Sequence, residues 1–232
     1  MRAVFLAEEL SNPRPAPRHL RLVEPYDPVA DVFARIERLP KPSRLYRRVA
    51  EAIEAGASAG DVVTILERDP ILADKVARSF APVFAQLRVQ LLGYLVLGVA
   101  VFAPPDGDPV PGFSLDDELA RSIQIALCAS KLAPPSTRDL AFGGGLLCES
   151  GRVVLATSHP EAYAAIAATG AVTCERELDA FGVTHAEVGA TLLEKWGVPR
   201  QVIDVVRFHH DAHAAPKSVR AIADLVGRAC LE

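Results

Sequence analysis

The sequence predicts a helical fold from Asp31 onward, and two observations support this. Four segments begin with Ser or Thr followed three residues later by Asp or Glu, a pattern whose side chains accept the unpaired amide protons of a first helical turn. These segments begin at Ser58, Ser114, Ser158 and Thr184. Behind them the apolar residues recur every three or four positions, as on the packed face of a helix. Such faces must pack on one another.

Residues 1–30 differ from the rest of the chain. The stretches "VFL" and "LRLV" have the composition of short strands, and the proline-rich "SNPRPAPR" between them blocks a helix. We therefore expect residues 1–30 to be an extension that forms a small β-hairpin, attached to a helical domain of residues 31–232.

Individual helices can be followed along the domain. Leu45, Val49 and Ile53 recur on one face of a helix. A later helix restarts at Asp69, with Pro70 in its first turn, where the missing amide proton costs nothing. Val62, Ile65 and Leu66 recur at helical spacing behind Ser58 and indicate a further helix between these two.

An apolar run and two loops divide the domain. The run "LLGYLVLGVAVFA" at residues 91–103 is shorter than the roughly 20 residues that a bilayer requires, so it predicts a buried helix. Proline-rich loops are expected at 103–112 and 133–139. The first loop divides the domain into predicted lobes of residues 31–107 and 108–232.

Two conspicuous motifs indicate packing and not ligand binding. The glycines at 143–145 lack the Lys-Ser/Thr of a phosphate-binding loop and the spacing of a dinucleotide fingerprint, so they predict close helix packing. Trp196 follows Leu192 and Leu193 at helical spacing, which favours a place in the core.

Composition excludes several classes of protein. The formal net charge is −4, with acids and bases interspersed, so no nucleic-acid partner is expected. The four cysteines are widely spaced and form no CxxC motif, which favours reduced thiols in the cytoplasm. Glu8 and Glu9 interrupt the apolar stretch that a signal peptide would need, and no membrane partner is expected.

Three stretches, taken in order, resemble the HDOD family, a bacterial signalling relative of the HD-type metal phosphohydrolases. They are "RLPKPSRLYRRVAEAIEAGASAGDVVTILERDPILADKVAR", "GLLCESGRVVL" and "FGVTHAEVGATLLEKWGVPRQVIDVVRFHH". The resemblance covers about residues 38–228. It implies an all-α, HDOD/HD-like helical bundle in two lobes.

The resemblance also implies where the metal ligands of a catalytic relative would lie. Arg121 stands at or beside the first His position, and Cys148-Glu149 replaces the adjacent His-Asp pair. The positions of the vestigial HD site in this chain are Arg121, Cys148, Glu149, His185, His209, His210 and Asp224.

The replaced residues argue against hydrolytic chemistry. A catalytic metal needs several imidazole or carboxylate ligands and an open position for water. Arg121 cannot ligate, because a guanidinium keeps its proton and offers only donors. Cys148, Glu149, His185 and His209 could be drawn as a zinc set, but adjacent side chains on one helix diverge by about 100°. We therefore expect no catalytic residue, no metal and no cofactor.

The role of Arg121 admits two interpretations. It could take the place of the cation and pair with Glu149, which would close the former metal pocket with an internal ion pair. It could also lie on the surface beside Asp117, four residues earlier on the same helix. Both remain open from the sequence.

The remaining site residues also have structural interpretations. His185 follows the predicted cap Thr184 and would be either an exposed first-turn residue or a structural relic of the metal set, which we favour. His209 and His210 are typical of a helix end, whose dipole favours cationic side chains. Asp224 is four residues from Arg220 and from Arg228, so a helix-surface pair explains it.

These interpretations predict a non-catalytic, cytoplasmic regulatory protein that acts through protein–protein interaction. The family resemblance implies a regulatory protein partner in cyclic di-GMP or two-component signalling, and a homodimer is the other expectation. The 30-residue extension is too short for a receiver domain, so docking to a separate partner is expected. Two alternatives stay open: a divergent metal phosphohydrolase of a nucleotide or cyclic dinucleotide, and a sensor that binds a small anion or nucleotide in the former metal pocket.

Overall fold

The computed structural model describes residues 26–36, 44–80, 89–102 and 112–231. Within these ranges all regular secondary structure is helical. The α-helices are α1 Pro28–Ala34, α2 Arg44–Glu54, α3 Ala59–Leu66, α4 Pro70–Phe80, α5 Val89–Val101, α6 Leu115–Leu132, α7 Arg138–Leu147, α8 Ser150–Ser158, α9 Pro160–Ala168, α10 Cys174–Phe181, α11 His185–Lys195, α12 Arg200–Phe208 and α13 Arg220–Ala229. The all-α prediction is confirmed. The two strands of the predicted β-hairpin lie outside the described residues, and α1 begins at Pro28, within the segment predicted to be the extension.

Three of the four predicted caps are present. Ser58 and Thr184 form complete capping boxes with the acid three residues later, and the Ser114 hydroxyl accepts from the next turn at 3.2 Å. The prediction at Ser158 is wrong. Ser158 is the last residue of α8, and its hydroxyl donates to Leu155 O. The next helix, α9, begins at Pro160, with His159 as the residue before it. Pro160 fixes that helix start without a side-chain cap.

The N-terminal helices form the first part of the core. α2 packs on α3 and α5, and α4 packs on α5. The buried-helix prediction for the apolar run is confirmed, because Leu95, Val96 and Leu97 of α5 are fully buried. Among the described residues, no helix is both long and apolar enough to cross a bilayer.

The C-terminal helices form the second part, in which α6 packs on α7 and α13, and α11 packs on α8 and α12. The three-glycine segment lies in α7, as predicted for close packing: an added Cβ at Gly145 would lie 2.8 Å from Ala126 Cα. The core prediction for Trp196 is also confirmed, since 8% of the residue is exposed.

The lobe boundary lies outside the described residues, so the division into residues 31–107 and 108–232 stays a prediction. Within the described part of the chain, α5 packs on α7, and α1 packs on α8 and α11. The two helical groups therefore share a core. The predicted loop at 133–139 is present, and α7 begins at Arg138.

Two close helix approaches position the site described next. Gly151 of α8 lies against α11, where an added Cβ would overlap His185 O and lie 2.7 Å from Gly189 N. Gly227 of α13 lies against the end of α12, where an added Cβ would overlap His209 O. Because these glycines lack side chains, the start of α8, the start of α11 and the end of α12 can meet around one buried pocket.

Candidate functional site

Six of the seven positions of the vestigial HD site converge. Arg121 comes from α6, and Cys148 and Glu149 form the junction of α7 and α8. His185 begins α11, and the pair at residues 209–210 follows α12. The seventh, Asp224, lies on the exposed face of α13 and pairs with Arg228 over 3.1 Å, as the surface-pair interpretation predicts.

Glu149 is the charged centre of this pocket. Its side chain is fully buried, and neither carboxylate oxygen accepts a hydrogen bond. Three cationic or potentially cationic groups surround it: Arg152 Nε in an ion pair with Oε2, His185 Nε2 at 3.7 Å from Oε2, and Arg121 Nε at 3.9 Å from Oε1. A buried carboxylate requires such partners.

Arg121 reaches the pocket from the surface. Its side chain is 47% exposed, and Nη2 donates to Cys230 O over 2.7 Å. No ion pair joins Arg121 to Asp117, two residues that the structure describes. Of the two interpretations from the sequence, the contact with Glu149 is the one present, but at 3.9 Å it is a long ion pair.

Arg152 is the buried cation, and sequence reasoning missed it. Its side chain is 14% exposed, and Nη2 donates to Val172 O over 3.2 Å. Burial acts to lower the pKa of Arg152, but Glu149 and other nearby acids outweigh it and raise the pKa. The available signal was the spacing of three residues between Glu149 and Arg152, which places both on one helical face.

His185 is held by a second buried acid, Glu177, which the sequence did not single out. His185 Nδ1–H donates to Glu177 Oε2 over 2.6 Å, and the His185 backbone amide donates to the same oxygen over 2.8 Å. Both side chains are fully buried, so the alternative of an exposed first-turn His185 is wrong. The hydrogen bond leaves Nε2 of a neutral His185 as an acceptor.

His209 and His210 complete an imidazole cluster. His209 Nδ1–H donates to Val206 O over 2.7 Å, and His209 Nε2 lies 3.4 Å from His185 Nε2. His210 Nε2 lies 3.1 Å from His185 Nε2. Desolvation, and then the neighbouring His185, lower the pKa of His209 well below its usual value and that of His210 to about 4. His209 is buried, so the helix-dipole interpretation, which expects an exposed cationic side chain, does not describe it, whereas His210 stays exposed at the helix end.

Two buried thiols lie beside these groups. Cys148 Sγ is 3.8 Å from Cys230 Sγ, and the Cys148 thiol donates to Gly145 O over 3.2 Å. Burial, and the hydrogen bond with Cys230, raise the pKa of the Cys148 thiol. Cys230 was not among the predicted site residues, because 82 residues separate it from Cys148.

The pocket contains two sets of side chains with metal-ligand chemistry. Within each set, one donor atom per residue lies within 4.8 Å of all the others. The first set is Cys148, Glu149, His209 and Cys230, and the second is Cys174, His185 and His210.

A hydrolytic centre of the HD type does not fit these residues. The family resemblance sets Arg121 at or beside the position of its first His ligand, and a guanidinium has no lone pair to offer. The carboxylate of Glu149 is engaged by Arg152. The ligand set that would hold a water-activating ion is therefore not reproduced.

A surface cleft of about 660 Å³ opens beside the pocket. Its lining includes His209 and His210 together with the basic residues Lys217, Arg220 and Arg228. The cleft thus connects the imidazole cluster with the protein surface.

The helical architecture and the positions of these residues define an HD-like helical protein. The HDOD domain profile matches residues 86–212, more than half of the chain. The chain belongs to the HDOD domain family.

A sequence relative matches part of the chain. An uncharacterized protein of Treponema pallidum is 34% identical over 89 residues, which is 35% of this chain and 17% of that protein's length. The chain thus spans about a sixth of this relative.

Solved structures show the same fold. An HDOD domain protein of unknown function from Geobacter sulfurreducens superposes with a TM-score of 0.69 and 19% identity, over 88% of this chain and 76% of that one. A protein named as a candidate phosphohydrolase from Shewanella amazonensis gives a TM-score of 0.69 and 22% identity, over 87% of this chain and 79% of that one. At these identities the likeness concerns the fold alone.

Proposed function

We propose that the protein is a non-catalytic, cytoplasmic regulatory protein that acts by binding another protein. The observation that carries this proposal is the engagement of the buried Glu149 by Arg152, with Arg121 as a second guanidinium 3.9 Å away. The family resemblance sets Arg121 at or beside the first His ligand of a hydrolytic enzyme, and its guanidinium offers no lone pair. Without that chemistry, the helical surfaces are what the fold offers to a partner.

A hydrolysis assay tests the negative part of this proposal. The full chain is incubated with Mn(II), Fe(II) or Zn(II) and either bis(p-nitrophenyl) phosphate or cyclic di-GMP. We expect rates equal to the buffer blank. Metal-dependent turnover that Glu149→Gln abolishes would overturn the proposal in favour of a divergent phosphohydrolase.

A binding experiment tests the positive part. The tagged chain is recovered from its bacterial host after mild crosslinking, and its mass is measured by light scattering with and without the recovered partner. We expect a stoichiometric complex with a regulatory protein. A chain that stays monomeric and recovers no regulatory protein would contradict the proposed mode of action.

One observation favours a second candidate function, the sensing of a small anion. The cleft beside His209 and His210 carries Lys217, Arg220 and Arg228, although Asp224 offsets part of their charge by pairing with Arg228. A ligand specific for the folded state raises the melting temperature. Thermal-shift measurements with inorganic phosphate and with nucleotides test this function, and a response should be lost in Lys217→Ala.

A further inference from the structure

We propose that Cys148, Cys230, His209 and Glu149 form a closed, four-ligand zinc site that joins the α7–α8 junction to the ends of α12 and α13. Their donor atoms all lie within 4.8 Å of one another, and all four residues are buried. The site differs from a hydrolytic HD centre in its two thiolates, in its use of Cys230, and in leaving no position for water.

The distance between the two sulfurs supports this assignment. Zinc–sulfur bonds of about 2.3 Å at a tetrahedral angle hold two sulfurs about 3.8 Å apart. Cys148 Sγ and Cys230 Sγ are 3.8 Å apart. A disulfide would instead require about 2.05 Å between them. The thiols are therefore spaced as two ligands of one zinc ion.

The imidazole of His209 is oriented as a metal ligand. Its Nδ1–H donates to Val206 O over 2.7 Å, which leaves Nε2 with a lone pair. Nε2 faces His185 Nε2 at 3.4 Å, but His185 already donates its Nδ1–H to Glu177. His210 Nε2 lies 3.1 Å from His185 Nε2 and can donate to it, and a neutral His185 then offers no proton to the lone pair of His209. A metal ion would satisfy it.

The carboxylate of Glu149 supplies the fourth ligand. Both of its oxygens are buried and accept no hydrogen bond. Arg152 pairs with Oε2, which leaves Oε1 with only Arg121 Nε, at 3.9 Å. Two thiolates, one carboxylate and Zn(II) carry a net charge of −1, and Arg121 lies beside them to balance it.

The helix break at this point removes the geometric objection to adjacent ligands. Side chains next to each other on a continuous helix diverge by about 100°. Cys148 is the last cap of α7 and Glu149 is the first cap of α8, so the two residues lie in a turn between helices. Their donor atoms can therefore face the same point.

The first test uses the wild-type chain, reduced and freed of metal without oxygen. Co(II) is added, because tetrahedral cobalt has strong visible bands and thiolate ligands add a near-ultraviolet charge-transfer band. We expect saturation at one equivalent with both signals, followed by their loss when Zn(II) displaces Co(II). Absence of the charge-transfer band, or of any saturable signal, would overturn the proposal.

The second test assigns the ligands. Cys148→Ser and Cys230→Ser should each weaken Zn(II) affinity by more than the roughly 10- to 100-fold that loss of a supporting residue costs. Cys128→Ser, outside both candidate sets, is the matched control and should bind as the wild type does. Binding lost only in Cys174→Ser would place the ion in the second set and contradict the assignment. If a Ser variant does not fold, the cobalt titration of the wild-type chain still decides the proposal. Phosphoester hydrolysis is measured separately, because it tests the proposed function and not the zinc site.

Discussion

His185 and Glu177 are joined by two hydrogen bonds at full burial, from Nδ1 over 2.6 Å and from the backbone amide over 2.8 Å. One carboxylate oxygen thereby connects α10 to the first turn of α11 and fixes the ring of His185. The orientation of the imidazole cluster depends on this contact, since His209 and His210 both approach His185 Nε2.

Replacing this acid should destabilise the fold. We expect Glu177→Gln to lower the free energy of unfolding by about 1–3 kcal/mol. The buried N–H groups of His185 lose their charged acceptor, and the new side-chain NH2 group of Gln has no acceptor of its own. Urea unfolding measures this change. The control Asp179→Asn, on the exposed side of the same helix, should stay within about 0.5 kcal/mol of the wild type. Equal effects for both variants would contradict the structural role of Glu177.

Arg152 and Arg121 should differ sharply as partners of Glu149. Arg152→Met leaves a buried carboxylate without its close cation, so we expect a loss of about 3–5 kcal/mol in unfolding free energy. Arg121→Met, at a side chain that is 47% exposed, should cost about 1 kcal/mol or less.

A double variant separates charge from packing at this position. If the cost of Arg152→Met comes from the uncompensated charge, combination with Glu149→Gln should recover part of the lost stability. Guanidinium chloride unfolding of the two single variants and the double variant gives the coupling energy. Strict additivity would mean that the Arg152–Glu149 contact is not the source of the loss.

The close approach of α8 and α11 predicts the effect of one methyl group. Gly151→Ala should destabilise the chain by about 1–3 kcal/mol, because the added Cβ overlaps His185 O. Gly60→Ala is the matched control: it also lies in a helix, and its nearest neighbour would be Ser58 Oγ at 3.7 Å. That change should be neutral or stabilising by up to about 1 kcal/mol. Thermal unfolding of both variants tests the difference.

Acid should weaken the fold through the histidines. The pKa of His210 is lowered to about 4 and that of His209 is lowered well below its ordinary value of 6.5, so the unfolded chain takes up protons first. Stability is therefore complete above about pH 6.5 and falls as the pH drops toward 4, by up to about 1.4 kcal/mol per pH unit for each proton.

Unfolding free energies between pH 7 and pH 4.5 measure this loss. His209→Gln should flatten the dependence, while His213→Gln, at an exposed residue outside the imidazole cluster, should leave it unchanged. A pH dependence that survives in His209→Gln and His210→Gln alike would assign the acid sensitivity to other groups.

The sequence determined the helices and their approximate ends. The caps at Ser58, Ser114 and Thr184 are local, since each bond joins residues three positions apart, and the apolar spacing behind them is local too. The failure at Ser158 has a local cause of the same kind: Pro160 starts the next helix without a side-chain cap.

The tertiary structure alone decided the contents of the pocket. Family resemblance indicated six residues that do converge, but Arg152, Glu177 and Cys230 enter only because helices distant in sequence meet there. The protonation states were decided in the same way. A helix end favours a cationic His in isolation, whereas burial against other helices lowers the pKa of His209, and desolvation depends on the whole fold.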